Sequence, residues 1–213
     1  MKIMKIVEFF PLHIQEKIAI YKYKKKNLLK ISGNVILENV HLVMNSRSLL
    51  SIDDGCILRN CSIILKNSKV ELGPETIIEN SDIRCVNYQT ENGSLQIADH
   101  VSIKHFKISN EGRIFIGSRS VLEGALHGLL NAYQNALLQL GEYSILKGCE
   151  LYVFSNASLI AGDYFGIGDG SEIRACTKVK IGSYVMISYN VTIFDTNTHS
   201  TDWQLRRIEI EQS

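Results

Sequence analysis

IGSYVM, ISYNVT and IFDTNT follow one another without a gap from Ile181 to Thr198, with Ile181, Ile187 and Ile193 opening the phrases and Val185 and Val191 at the fifth place of the first two. A period of six is neither the two of a half-buried strand nor the 3.6 of a helix. It fits a chain that runs straight for a few residues, turns and repeats, so that three phrases close one triangular coil and the coils stack. The aliphatic opener of each phrase points inward. The small fifth residue points inward too, near the corner, where a larger side chain would collide with the next face.

The period runs back through most of the chain. Ile31, Ile52, Leu72, Ile97, Ile116, Leu140, Ala161 and Ile181 open aligned phrases at spacings of 21, 20, 25, 19, 24, 21 and 20 residues. Second phrases open six residues later, at Leu37, Leu58, Ile78, Ile103, Leu122, Leu146, Ile167 and Ile187. The third face is longer and carries a polar corner, as in KNSKVEL (66–72), SNEGRIFI (109–116) and FSNASLIA (154–161). Asn, Ser and Gly there suit αL or turn geometry, and Asn39, Asn60, Asn80 and Asn190 are read as corner formers. A sandwich of hairpins is disfavoured because Asn-Gly turns between flanking strands are nearly absent, Asn92-Gly93 being the exception. The repeat predicts an all-β parallel β-helix of about eight coils over residues 31–199. Ile52, Leu72, Ile97, Ile116, Leu140 and Ile181 are expected to form one buried stack. The two widest spacings place protruding loops at 87–94 and 126–136. The second is apolar enough, through Leu129, Leu130, Tyr133 and the adjoining Leu137, to meet a neighbouring subunit.

Composition agrees with one solenoid domain. The chain has 213 residues, 45% of them apolar, with only two prolines. The net charge of +1 divides unevenly: residues 1–30 hold eight lysines against Glu8 and Glu16, a surplus of six, which leaves the remainder at −5. Pro11 suits the first turn of a helix, and Ile14, Ile18 and Tyr21 follow at one-turn spacing as an apolar stripe. Residues 1–30 therefore read as a basic helical cap lying across the open first coil. The same lysines suit contact with an anionic membrane surface. No basic patch continues into the repeat, which argues against a nucleic-acid partner. No stretch reaches the ~18 apolar residues of a membrane span, and the N-terminus lacks the pattern of a secretory signal. The cytoplasm, at the inner face of the membrane if the lysines act there, is the expected compartment.

The five cysteines form no C-x-x-C pair. Cys61, Cys149 and Cys176 take fourth places and Cys56 a fifth place, positions of core filler and surface thiols rather than of a metal site. No metal is implied. The chemistry concentrates where the repeat breaks, in IFDTNTHSTDWQLRR, with Asp195, Asn197, His199, Asp202 and Trp203 within nine residues. A rigid solenoid is a sound platform for such a loop, and a neutral imidazole is a natural base for a sugar hydroxyl. Residues 200–213 form a tail after this loop.

The phrases from Ile31 to Ile193 resemble the hexapeptide-repeat acyltransferases, whose fold is a left-handed parallel β-helix and whose usual assembly is a homotrimer. The ending resembles more narrowly the O-acetyltransferases of bacterial capsule and other surface polysaccharides. There a regular coil leads into a D-x-D/N-x-H-S/P segment and then an arginine; here Ile181-Gly182, Ile187-Ser188, Asp195, Asn197, His199, Ser200 and Arg206 or Arg207 take those places. The resemblance implies acetyl-CoA as acyl donor and a saccharide as acceptor. His199 would be the base, and Asp195 or Asn197 would orient it. Beside the resemblance, Trp203 is expected to wall the acceptor sugar by stacking, Arg206 or Arg207 to pair with an acidic sugar or a phosphate of coenzyme A, and His127, in the 126–136 loop, is an outside candidate for the acceptor site. In that family further coils follow the arginine and line the pantetheine slot. This chain reads IEIEQS to Ser213, so weak or no binding of acetyl-CoA by the 213 residues is expected. A non-catalytic solenoid that binds saccharide or partner subunits is the alternative, and an N-acyltransferase on an amino sugar is a nearer one.

Overall fold

The computed structural model describes residues 7–10, 14–87, 93–124, 128–197 and 199–212. Over them the chain winds into the parallel β-solenoid of eight coils that the repeat predicts, an all-β fold consistent with a left-handed β-helix. The first face stacks the strands Leu29–Ile31, Leu49–Ile52, Ser68–Leu72, Gly93–Ile97, Arg113–Ile116, Leu137–Leu140, Ser158–Ala161 and Lys178–Ile181. The second stacks Val35–Glu38, Ile57–Arg59, Ile77–Glu79, Ser102–Lys104, Val121–Glu123, Ile145–Lys147, Gly166–Ile167 and Met186–Ile187. The third stacks His41–Met44, Ser62–Lys66, Asp82–Val86, Lys107–Asn110, Leu129–Ala132, Glu150–Val153, Glu172–Ala175 and Thr192–Phe194.

Register follows the phrase openers. Ile31 pairs with Ile52, Ile52 with Leu72, Leu72 with Ile97, Ile97 with Ile116 and Ile116 with Leu140, while Ala161 pairs with Ile181 at the far end. Each first-phrase opener ends its strand rather than beginning a face, and the next three residues turn the corner. One coil shows the packing: Leu50, Ile52, Cys56, Leu58, Cys61, Ile63 and Leu65 all point inward and are buried. Every coil thus roofs the one before it, and parallel strands buried on one side supply the hydrogen bonds. Inward hydroxyls at the corners are satisfied, Thr76 Oγ1 donating to the Ala98 carbonyl at 3.1 Å and Ser171 Oγ to that of Ser188 at 2.7 Å.

The corners explain the recurrent asparagines. Asn39, Asn60, Asn80 and Asn190 hold φ between 50° and 54°, a conformation asparagine tolerates and most L residues do not. Stacking then lines up like side chains, with Asn39 donating to Asn60 at 3.2 Å and Asn45 to Asn67 at 2.8 Å. The corner between the first and second faces is more varied. Glu75, His100, Arg119, Tyr143, Tyr164 and Tyr184 all adopt positive φ there. The three tyrosine rings stack at 4.7 Å, with the Arg119 guanidinium 5.6 Å from the Tyr143 ring. Nearby, the Ser118 hydroxyl and then His100 hold the Asp99 carboxyl down to about 2.

Several expectations are corrected. Residues 1–30 are not wholly a helical cap: β1 (Val7–Phe10) adds an edge strand to the second face, placing Phe9 beside Leu37. The helix α1 (Ile14–Lys25) does lie against the first coil, but Ile18 and Tyr21 face solvent; Ile20 is buried, and the Tyr23 hydroxyl accepts from the Met44 amide at 3.1 Å. Residues 128–136 are no protruding loop. Leu129–Ala132 is a regular third-face strand, with Leu130, Ala132 and Ala136 in the core. The other positions of the two expected loops, 126–127 and 88–92, lie outside the described residues, while Gly93 already belongs to a strand. The fifth place is not always small: Phe165 is fully buried there, in the coil whose opener is the small Ala161. Ile181 stacks in register but is only half-buried, because its coil is the last. Cys56, Cys61, Cys85 and Cys149 are core residues and Cys176 is exposed. Burial pushes the Cys85 and Cys149 thiols up to about 12, far from any thiolate chemistry.

Candidate functional site at the open end of the solenoid

The last coil leaves its inward residues Ile181, Val185, Ile187 and Ile193 half-covered, and the chain then departs from the solenoid. The departure is built by Asp195. Its carboxylate accepts from the amides of Cys176, Thr177 and Lys178 at 2.6, 2.8 and 2.6 Å, closing the corner of the preceding coil. Burial opposes the charge, but the three amide bonds together outweigh it and hold the Asp195 carboxyl below its usual value. Asp195 is therefore tied to backbone and does not orient His199. No hydrogen bond joins the Asn197 side chain to His199 among the described residues, and Asn197 is exposed.

Helix α2 (Trp203–Glu211) follows, started by Asp202, whose carboxylate accepts from the Gln204 amide at 2.8 Å as an N-cap. None of its residues is buried. It brings an unexpected partner to the imidazole: Glu209 Oε2 lies 3.6 Å from His199 Nδ1, with both side chains open to water. That is ion-pair reach, a few tenths of an ångström beyond a hydrogen bond. Glu209 stands ten residues from His199, a coupling visible only once 203–211 is helical. The cap signal of Asp202 before Trp203 would have shown that helix.

Arg206 anchors the loop, its Nε donating to the Ser200 carbonyl at 3.1 Å and its Nη2 to that of Thr201 at 3.4 Å. Arg207 pairs with Glu211 at 2.6 Å. Trp203, 67% exposed, walls a shallow cavity of about 360 Å³ with Arg206, Arg207, Ile210 and Glu211. At ~100° per residue, Glu209 sits about a third of a turn from Trp203, so the cavity and the imidazole occupy adjoining sides of one helix. The structure thus brings Trp203, Arg206 and Arg207 together and sets His199 beside them. His127 lies outside the described residues. A second concavity of about 340 Å³, between Ile145, Lys147, Met186 and Tyr189, opens on the second face, and His199 is not among the residues that line it. Three or more His, Cys, Asp or Glu side chains placed to hold a metal do not occur among the described residues.

No protein-family model and no curated protein matches this sequence. Among solved structures, the chain is similar to the crystal structure of the polySia specific acetyltransferase NeuO, at 13% identity over 87% of this chain and 97% of that one, with a TM-score of 0.26. Likeness of this degree does not extend to residues or chemistry.

Proposed function

We propose that the chain is an acyltransferase that moves an acetyl group from a thioester donor to a sugar hydroxyl of a surface polysaccharide or its precursor, with His199 as general base. The observation that supports this most is the His199–Glu209 pair, both side chains open to water, beyond the last coil of a rigid solenoid. A carboxylate at Nδ1 favours the tautomer with its proton there, which leaves the Nε2 lone pair for the acceptor hydroxyl. As the hydroxyl oxygen bonds to the thioester carbon, its proton passes to Nε2. Glu209 then steadies the imidazolium until the proton goes to the departing thiolate, giving ester and free thiol. Trp203 offers a face for the sugar ring, and Arg207, on exchanging Glu211, a partner for an acidic sugar.

The acetyl-CoA expected from the resemblance finds no matching seat around His199. The adjoining cavity is shallow, and its two guanidinium groups already hold the loop carbonyls and Glu211. The donor's binding is therefore assigned to no residue here.

The test is transfer of labelled acetyl to purified glycan. His199→Ala should lower transfer by ~10²-fold or more, and Glu209→Gln by less, on the scale of a general base and its supporting carboxylate. Both variants should keep the fold, since exposed substitutions shift stability by about 0.5 kcal/mol or less. Undiminished transfer by His199→Ala would overturn the assignment. An alkali-stable product would mean amide formation and so the N-acyl reading. A second reading, a non-catalytic saccharide-binding solenoid, is favoured by the commitment of Asp195 to three amides; glycan binding without transfer would identify it. The exposed Lys22, Lys25 and Lys26 at the end of α1 would carry any contact with an anionic membrane surface.

A further inference from the structure

Helix α1 has two unlike sides. One packs on the solenoid: Ile20 is buried beside Leu29, and the Tyr23 hydroxyl accepts from the Met44 amide. The helix thereby covers the end of the stack, against the strands Leu29–Ile31 and His41–Met44 of the first coil. At ~100° per residue, Lys17, Tyr21, Lys25, Ile18 and Lys22 fall in that order within about 140° of the opposite side. All five are exposed, Ile18 by 61% and Tyr21 by 69%. Lys26 adjoins them, and among the described residues no ion pair engages Lys17, Lys22, Lys25 or Lys26. A helix side that meets only water carries polar and charged residues, and Ile18 and Tyr21 break that rule. Two apolar side chains set among four cations are the composition of a helix that lies on an anionic lipid surface. The apolar pair enters the acyl boundary, and the lysines reach the headgroups.

We infer that this side of α1 stands the solenoid on its first coil at an anionic lipid bilayer. A soluble polyanion would satisfy the lysines but gives Ile18 and Tyr21 nothing to enter, so the apolar pair selects lipid. The place in the fold suits the role. In the expected homotrimer, cyclic symmetry carries three such seats to one side of the assembly when the solenoids run along its axis, and three weak contacts joined in this way hold far better than one. Seven steps of ~4.8 Å set the last coil ~34 Å from the first, so His199 stands on the side away from the lipid. Resting on the acyl-transfer reading, this makes the acceptor the outer part of a glycan anchored in the same membrane, rather than the sugars next to its anchor.

The test is co-sedimentation of the full chain with vesicles of phosphatidylcholine, alone or mixed with phosphatidylserine. Binding should require the anionic lipid and weaken with salt. Lys22→Gln/Lys25→Gln/Lys26→Gln should weaken it ~100-fold, roughly 5-fold per lysine, and Ile18→Ser/Tyr21→Ser by ~10-fold or more. These positions are exposed, so circular dichroism should be unchanged. No binding to the anionic vesicles would overturn the proposal. So would binding that Ile18→Ser/Tyr21→Ser leaves intact while heparin competes, which would mark a site for a soluble polyanion. Trp203, the single tryptophan of the chain, reports orientation. Lipid with brominated acyl chains should leave its emission unquenched and should quench that of Tyr21→Trp/Trp203→Phe; the reverse would overturn seating on the first coil. Finally, Ile18→Ser/Tyr21→Ser should slow acetyl transfer to vesicle-anchored glycan by ~10-fold, as its binding falls, and leave transfer to free glycan unchanged. Equal slowing on both would overturn the link between seat and acceptor. Absence of transfer by the wild type would overturn the acyl-transfer reading, and the vesicle results decide the seat without it.

Discussion

Asp195 shows how one carboxylate can bind a loop to a solenoid. Three charge-assisted bonds to successive amides fix the point where regular coils give way to the His199 loop. Replacing Asp195 with Ala leaves those amides without that acceptor and should cost about 1–3 kcal/mol, seen as a lower midpoint in thermal or denaturant unfolding. The sign with pH follows from the lowered carboxyl: its contribution is complete above the ordinary carboxylate range and is lost as pH falls through the lower folded value. The Ala variant should therefore lose part of the acid sensitivity of the wild type; an unchanged acid limb would contradict this. Gly128 is a second decisive position. A Cβ there would collide with the buried Phe106 ring, so Gly128→Ala should destabilise by about 1–3 kcal/mol. Phe106→Leu should recover much of that loss, a coupling that a double-mutant cycle would read directly.

At the scale of strands and corners, one inward residue decides a face. Ile116 is completely buried, between Ile97 and Leu140. Ile116→Asp would place a charge in that stack and should unfold the protein, abolishing the sheet signal in circular dichroism. A cooperatively folded Ile116→Asp protein would mean the stack tolerates a buried charge. The first two faces were legible because their openers recur at fixed offsets; from Leu37 to Ile187 the whole second column falls in the expected register. The third face was less so, since its corners vary in length and hide the period. Spacing alone puts Leu129–Ala132 in a loop, because a 24-residue interval between openers does not say where along the coil the extra residues fall, whereas the structure makes it a strand. β1 was invisible for another reason: Val7–Phe10 is a lone strand, outside the repeat, with no phrase to align. On α1, apolar residues lie on both sides, and only contact with the first coil selects Ile20 and Tyr23 over Ile18 and Tyr21. Near His199, residue types were legible but couplings were not. Asp195 turned to amides seventeen to nineteen residues back, and Glu209 arrived through a helix.

The molecule as a whole has unequal ends. Among the described residues, β1 and α1 cover the first coil, whereas the strands Lys178–Ile181, Met186–Ile187 and Thr192–Phe194 pair on one side only and the inward side chains of their coil are half-covered. Hydrogen exchange should follow that asymmetry, with amides of Lys178–Phe194 exchanging ~10²-fold faster than those of coils near Ile116, as expected where openings are local. Uniform protection would show that the stack opens only as a unit. The same architecture bears on how the chain is made. Each opener finds its partner 19 to 25 residues back in a chain of 213, about a tenth of its length, a contact order closer to helical bundles than to β-sandwiches. Synthesis proceeds at roughly 5–20 residues per second, so a coil's worth of chain emerges every second or few, far more slowly than short elements form. Growth can then proceed by accretion, with β1 and α1 as seed and each finished coil as template for the next. A coil laid down one residue out of register would turn its inward row to solvent and offer a faulted template to its successor. The defect would pass along the stack in the direction of translation, and the region that inherits it last is the one that carries His199.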